Sequence, residues 1–178
     1  MTDKNPNWIL SALALYEKPL LRYGARLLGS SEGARDIVQE TFLELCKVKR
    51  ASVESHLAPW LFRVCRNRAL DVRRKDKRMQ PLSEAQDLKI ESPDDSPHAI
   101  MEKSQDAENL LGMVKKLPES QQEIVFLRFQ SGLSYKEIAE VTGRTVSNVG
   151  VLIHTAVKTI RDNMMRSGDE PNALEGAL

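Results

Sequence analysis

Apolar residues recur three and four positions apart along most of this chain. Glycine, proline and one long polar stretch interrupt the recurrence and so mark out successive helices. Over 8–28, Ile9, Leu13, Tyr16, Leu20, Tyr23 and Leu27 share one helical face, and Pro19 within them predicts a kink or a split. Gly29 can stop this helix, and Ser30 or Ser31 can cap the next. A second helix over about 32–48 puts Ala34, Ile37, Val38, Thr41, Phe42, Leu45 and Val48 on its apolar side. Asp36, Gln39, Glu40, Leu43 and Lys47 fall on the opposite side. A third runs from about Leu57 to Arg74, with Pro59 tolerated in its first turn. Its inward positions are Leu57, Leu61, Val64, Cys65, Ala69 and Val72, and Arg63, Arg66, Asn67, Leu70, Arg73, Arg74 and Lys77 lie opposite.

The C-terminal third is also helical in pattern. Helices are expected over about 108–116 and 119–131, the latter burying Ile124, Val125 and Leu127, with Phe129 a further candidate. Ser134 and Glu137 form a capping box that starts a helix at Tyr135. Gly143 breaks it, and a long helix follows from about Thr145 to Met164. A small residue where two helices touch, a glycine in the turn and a branched apolar residue locking the second helix are the needs of a helix-turn-helix. Ala139, Gly143 and Val149 meet them, with Ile138 and Leu152 as further buried contacts. The predicted fold class is all-α: two small helical domains joined by an acidic linker, the C-terminal one a helix-turn-helix. The boundaries read as 1–78, 79–107 for the linker, 108–166, and a frayed tail over 167–178.

Composition adds little until charge is mapped. The 178 residues hold 26 Lys and Arg against 25 Asp and Glu, and 41% hydrophobic residues, a balance typical of a globular chain. That neutrality hides two opposed blocks. Arg63, Arg66, Arg68, Arg73, Arg74, Lys75, Lys77 and Arg78 face only Asp71 and Asp76, a cationic stripe along one helix. From Pro81 to Leu110, eight acidic residues face only Lys89 and Lys103, with Pro81, Pro93 and Pro97 among them. This stretch cannot build a core, which makes it a linker. Such asymmetry marks interaction surfaces.

Several function classes drop out. No apolar run approaches the roughly 20 residues of a membrane span, and MTDKNPNWIL lacks the form of a secretory signal. No membrane insertion and a cytoplasmic location are expected. Cys46 and Cys65 read as two small buried thiols of a reducing compartment. His56, His98 and His154 are far apart, so no metal is expected. No glycine-rich phosphate cradle or catalytic triad is present, so no cofactor and no enzymatic activity are expected.

A helix-turn-helix lays its second helix in a major groove. The candidate readers are Arg144, Thr145, Ser147, Asn148, Val151 and His154, with Lys158 and Arg161 beyond them. From Thr145 to Val157 there is no Lys or Arg. Phosphate neutralisation supplies most nucleic-acid affinity, so this module alone should bind weakly unless small side chains meet thymine methyls or a partner adds affinity.

Three stretches in order resemble the extracytoplasmic-function sigma factors, the small two-domain subunits that direct bacterial RNA polymerase to promoters. GARDIVQETFLELCKV at 33–48 is similar to the family's region 2.2, and PWLFRVCRNRALDVRRK at 59–75 to regions 2.3 and 2.4. Residues 117–161 resemble region 4. The resemblance implies that Asp36, Gln39, Glu40, Leu43 and Lys47 dock core RNA polymerase. It implies that Arg63, Arg66, Arg73, Arg74 and Lys77 follow the single-stranded minus-ten element of promoter DNA, with Asn67 beside an extruded base. The loop Lys49–His56 corresponds to the family's base-capturing loop. Trp60 borders this face, where core packing is favoured over base stacking. The helix-turn-helix is expected at the minus-thirty-five duplex. There the chain departs from the family's usual basic residues at Gly150, Leu152, Thr155 and Val157. The resemblance also implies an anti-sigma partner. The linker is either an acidic strand threading the polymerase channels or a solvated tether.

Two other functions stay open on residues alone: a stand-alone transcriptional regulator, and an interaction adaptor without DNA binding. Residues 33–48 and 59–78 discriminate against the regulator, which has no need of a polymerase-docking helix beside a cationic rail, and the uncharged Thr145–Val157 stretch is what favours the adaptor.

Overall fold

A computed structural model describes residues 6–79 and 105–167. Every regular element among them is helical: α1 (Pro6–Leu28), α2 (Ser31–Lys47), α3 (Arg50–Val53), α4 (Leu57–Met79), α5 (Gln105–Lys115), α6 (Glu119–Val125), α7 (Tyr135–Thr142) and α8 (Val146–Ser167). Most of the predicted linker and tail lies outside the described residues. The chain divides into two compact units, the first drawn mainly from the N-terminal half and the second mainly from the C-terminal half.

In the N-terminal unit α1, α2 and α4 pack against one another as a three-helix bundle. The side of α2 read as apolar is buried at Ala34, Ile37, Val38, Thr41, Phe42 and Leu45. Ser30 caps this helix, its Oγ accepting from the Gly33 N–H at 3.1 Å. Tyr23, Leu20, Leu45, Leu61 and Phe62 are fully buried. The Tyr23 and Phe62 rings meet in a tilted pair with centroids 5.4 Å apart, joining α1 to α4. Helices α1 and α2 approach closely at Gly24, where an added Cβ would lie 3.0 Å from Ile37 Cδ1 and 3.3 Å from Ala34 Cβ.

Helix α1 is continuous through Pro19, so it is not split there. Two expectations need correction here. Cys46 is exposed, and only Cys65 is buried. Cys46 directly follows the buried Leu45, so the helix turns it about 100° away from the core. The loop over Lys49–His56 is folded into α3 and a 3₁₀ turn, pinned by buried Val53 and by Arg50 Nε donating to Glu54 Oε2 at 2.8 Å.

In the C-terminal unit α5 and α6 pack on α8. Met113, Leu117, Val125, Ala156 and Ile160 form one buried cluster, with Leu110, Val114 and Met164 against it. Past Val125 the helix widens into a π turn over Phe126–Gln130. Phe129 is 41% exposed, not buried: even on regular helical phase it falls on the side away from Ile124 and Leu127.

Candidate nucleic-acid interface

The stripe on α4 exists because one helix serves two environments. Leu61, Phe62, Cys65 and Ala69 go into the bundle, and the long cationic side chains take the remaining circumference. Arg63, Arg66 and Arg73 are half-buried along their stems, while Asn67, Arg74 and Lys77 are exposed. All six share one side of one helix, so the structure brings the predicted rail together. Asp71 forms an ion pair with Arg74, one turn along, and tempers the field at that point. Trp60 is half-buried. Cys65, on the core side, has its thiol pushed up to about 12 by burial, with the Thr41 hydroxyl acting in the opposite direction.

On α2, Asp36, Gln39, Glu40, Leu43 and Lys47 are all exposed, and Leu43 is 54% open to solvent. Gln39 and Leu43 border a shallow groove of about 360 Å³ between α1 and α2, floored by Leu13, Leu21, Val38 and Phe42. The sequence pattern did not single out this groove: it placed Leu13 on one face of α1 but said nothing of the neighbouring α2 side chains that complete the lining. Two charges were also missed as site neighbours. Glu44 accepts from Lys47 Nζ at 2.9 Å and from Arg68 Nη2 at 3.1 Å, and Arg68 Nε lies 3.5 Å from Glu40 Oε2. Lys47, and secondarily Arg68, hold the Glu44 carboxyl below the ordinary glutamate range against the opposing effect of desolvation.

The helix-turn-helix is built as its chemistry requires. The Ser134 N–H donates to Glu137 Oε2 at 2.7 Å, and the Glu137 N–H donates to Ser134 Oγ at 3.3 Å, the reciprocal capping box. Gly143 has φ of 70°, a left-handed turn that lets the Arg144 N–H reach the Ala139 carbonyl at 3.1 Å. Val149 is fully buried, as is Ile138, whereas Leu152 is only half-buried. Arg144, Thr145, Ser147, Asn148, Val151, His154 and Lys158 are all exposed. The first of these are tied together: Arg144 Nη1 donates to Asn148 Oδ1 at 3.2 Å, and the Asn148 N–H donates to Thr145 Oγ1 at 3.2 Å.

Among the described residues no group of three His, Cys, Asp or Glu is placed to hold a metal ion, and no helix is long and apolar enough to cross a membrane.

Two family models fit these two units in order. Sigma-70 region 2 matches residues 13–79, and Sigma-70 region 4 matches residues 107–160. The ECF RNA polymerase sigma factor EcfG of Rhodopseudomonas palustris is 30% identical over 161 residues, covering 88% of this chain and 82% of that protein. The chain belongs to the extracytoplasmic-function sigma factors of the sigma-70 family. The RNA polymerase sigma factor YlaC of Bacillus subtilis is 28% identical over 159 residues, covering 87% of this chain and 91% of the relative. In fold, the chain resembles the RpoE of Bartonella quintana solved with the anti-sigma factor NepR, at a TM-score of 0.62 and 21% identity over 87% of this chain and 95% of that one. CnrH, solved with the cytosolic domain of CnrY, gives a TM-score of 0.61 at 18% identity, covering 94% and 92%. As a member of this sigma family the chain acts in promoter recognition by RNA polymerase. The region 2 match argues against the stand-alone regulator, which has no need of that unit.

Proposed function

We propose how this sigma factor divides that work among its residues. The outward side of α2, with Asp36, Gln39, Glu40, Leu43 and Lys47 beside the apolar groove, docks core RNA polymerase. An acidic rim around an exposed leucine suits a basic helical partner. Along α4, Arg63, Arg66, Arg73, Arg74 and Lys77 follow the phosphates of the single-stranded minus-ten element, and Asn67 reads an extruded base. Trp60 supports this face mainly by packing. The exposed side of α8 meets the minus-thirty-five duplex through Arg144, Thr145, Ser147, Asn148, Val151, His154 and Lys158. The modules are 1–78 and 108–166, joined by 79–107, and the work is done in the cytoplasm. An anti-sigma protein, such as those solved with the structural relatives, is the expected antagonist.

One observation carries this reading: a single helix gives one side to a closed core and the other to five cations and an amide. Holding an unpaired base offsets an unstacking cost of a few kcal/mol, so the protein does not melt a duplex alone. The polymerase must act as scaffold for many weak contacts. The test is run-off transcription with purified core polymerase and permanganate footprinting of the bubble. Joint replacement of Arg66, Asn67 and Arg74 by Ala should leave polymerase association in place and remove bubble reactivity. Unchanged reactivity would reject the rail, and unaltered start-site choice with the wild-type protein would reject the whole assignment.

A further inference from the structure

Resting on the duplex-reading role just proposed, we infer that Val151 reads a thymine C5-methyl group in the major groove, and that this apolar contact sets the base preference of α8.

The geometry of α8 singles out this residue. Val149, Ile153, Ala156, Val157 and Ile160 are buried and define the inward side of the helix. At about 3.6 residues per turn, Val151 falls diametrically opposite them, and it is 63% exposed. Ser147, His154, Thr155 and Lys158 surround it at helical spacing and are also exposed. A solitary surface valine is ordinary. What distinguishes this one is its position at the crest of the helix that a helix-turn-helix lays in the groove.

Its polar neighbours are partly committed to the protein. Asn148 Oδ1, which a bidentate contact to adenine would need, already accepts from Arg144 Nη1. That same pairing occupies one of the Arg144 donors that guanine would take. The Thr155 hydroxyl donates to the Val151 carbonyl at 2.8 Å, so its proton is turned toward the backbone. No Lys or Arg occurs from Thr145 to Val157 to impose a charged contact. An isopropyl group offers no hydrogen bond. Thymine is the base that presents a methyl in the major groove, so it is the base such a group can distinguish.

The test uses holoenzyme reconstituted from the full chain and core polymerase, selecting from a pool of random-sequence duplexes. The enriched upstream segment is then resynthesised with deoxyuridine in place of thymidine, which deletes the methyl and keeps every hydrogen-bonding group. Wild-type holoenzyme should bind the uracil version about fourfold more weakly for each contacted base, the worth of roughly one buried methyl. Val151→Ala, checked by thermal melting for an unchanged fold, should lose that difference. Equal binding of the two duplexes, or a difference that survives in Val151→Ala, would overturn the methyl contact while duplex reading stands. Absence of any enriched upstream segment would overturn both.

Discussion

Arg68 of α4 donates through Nη2 to Glu44 Oε1 of α2 at 3.1 Å, and the same guanidinium lies beside Glu40. The pairing ties the helix that carries the cationic rail to the helix proposed to meet the polymerase. Glu40 is exposed and Arg68 and Glu44 are each partly open to solvent, so water and salt weaken the bond and its role is chiefly orientation.

The Glu44 carboxyl titrates lower in the folded protein than when unfolded. Its contribution is therefore present above the ordinary glutamate range and fades as pH falls through the lowered value. Glu44→Gln should lower the melting temperature slightly at neutral pH, and the gap between variant and wild type should close as pH falls below the ordinary glutamate range. A gap that is constant with pH would show that the carboxylate charge contributes nothing.

The two thiols should separate cleanly in a labelling experiment. Cys46 is exposed and should react with a thiol reagent in the native protein. Cys65, whose burial raises its thiol to about 12, should react only in denaturant. Two equivalents of rapid native labelling would mean that the bundle opens around α4.

The turn of the helix-turn-helix gives a graded stability series. Gly143→Ala forces a side chain into the left-handed region and should cost about 1 kcal/mol or somewhat more, although nothing lies within 4 Å of the new Cβ. Gly143→Asn should cost less. Ser134→Ala removes half of the capping box and should cost about 1 kcal/mol. Denaturant unfolding reads all three, and an unchanged Gly143→Ala midpoint would contradict the conformation described.

Reversal of charge at Asp36 together with Leu43→Ala should weaken association with core polymerase while leaving the melting temperature unchanged, since both side chains are exposed. Affinity equal to wild type in a pull-down would exclude the outward side of α2 as the docking surface.

Much of the architecture was legible because it rests on periodicity. The buried series from Ala34 to Leu45 and the capped turn at Ser134 and Glu137 are patterns in which every position agrees. Phe129 was offered as a further buried residue on its apolar character, although its spacing from Ile124 and Leu127 puts it on the other side of the helix. Cys46 was misassigned by letting the usual burial of cysteine outweigh its place next to Leu45. Phe62 lies in the core between Leu61 and Arg63, where its partner Tyr23 belongs to another helix. The Arg68 contacts to Glu40 and Glu44 likewise cross between helices. Periodicity along one element says nothing of such pairs, and the groove floored by Leu13, Leu21 and Phe42 was hidden for the same reason.

Because Leu61, Phe62 and Cys65 stand on the reverse of the helix that bears Arg63, Arg66 and Arg74, the proposed nucleic-acid surface and the hydrophobic core share the same rod. A strand bound to the native surface alone would draw the unfolding equilibrium toward the folded chain by mass action. Promoter capture would then act as a brace, with the heat resistance of the N-terminal bundle climbing as oligonucleotide is added.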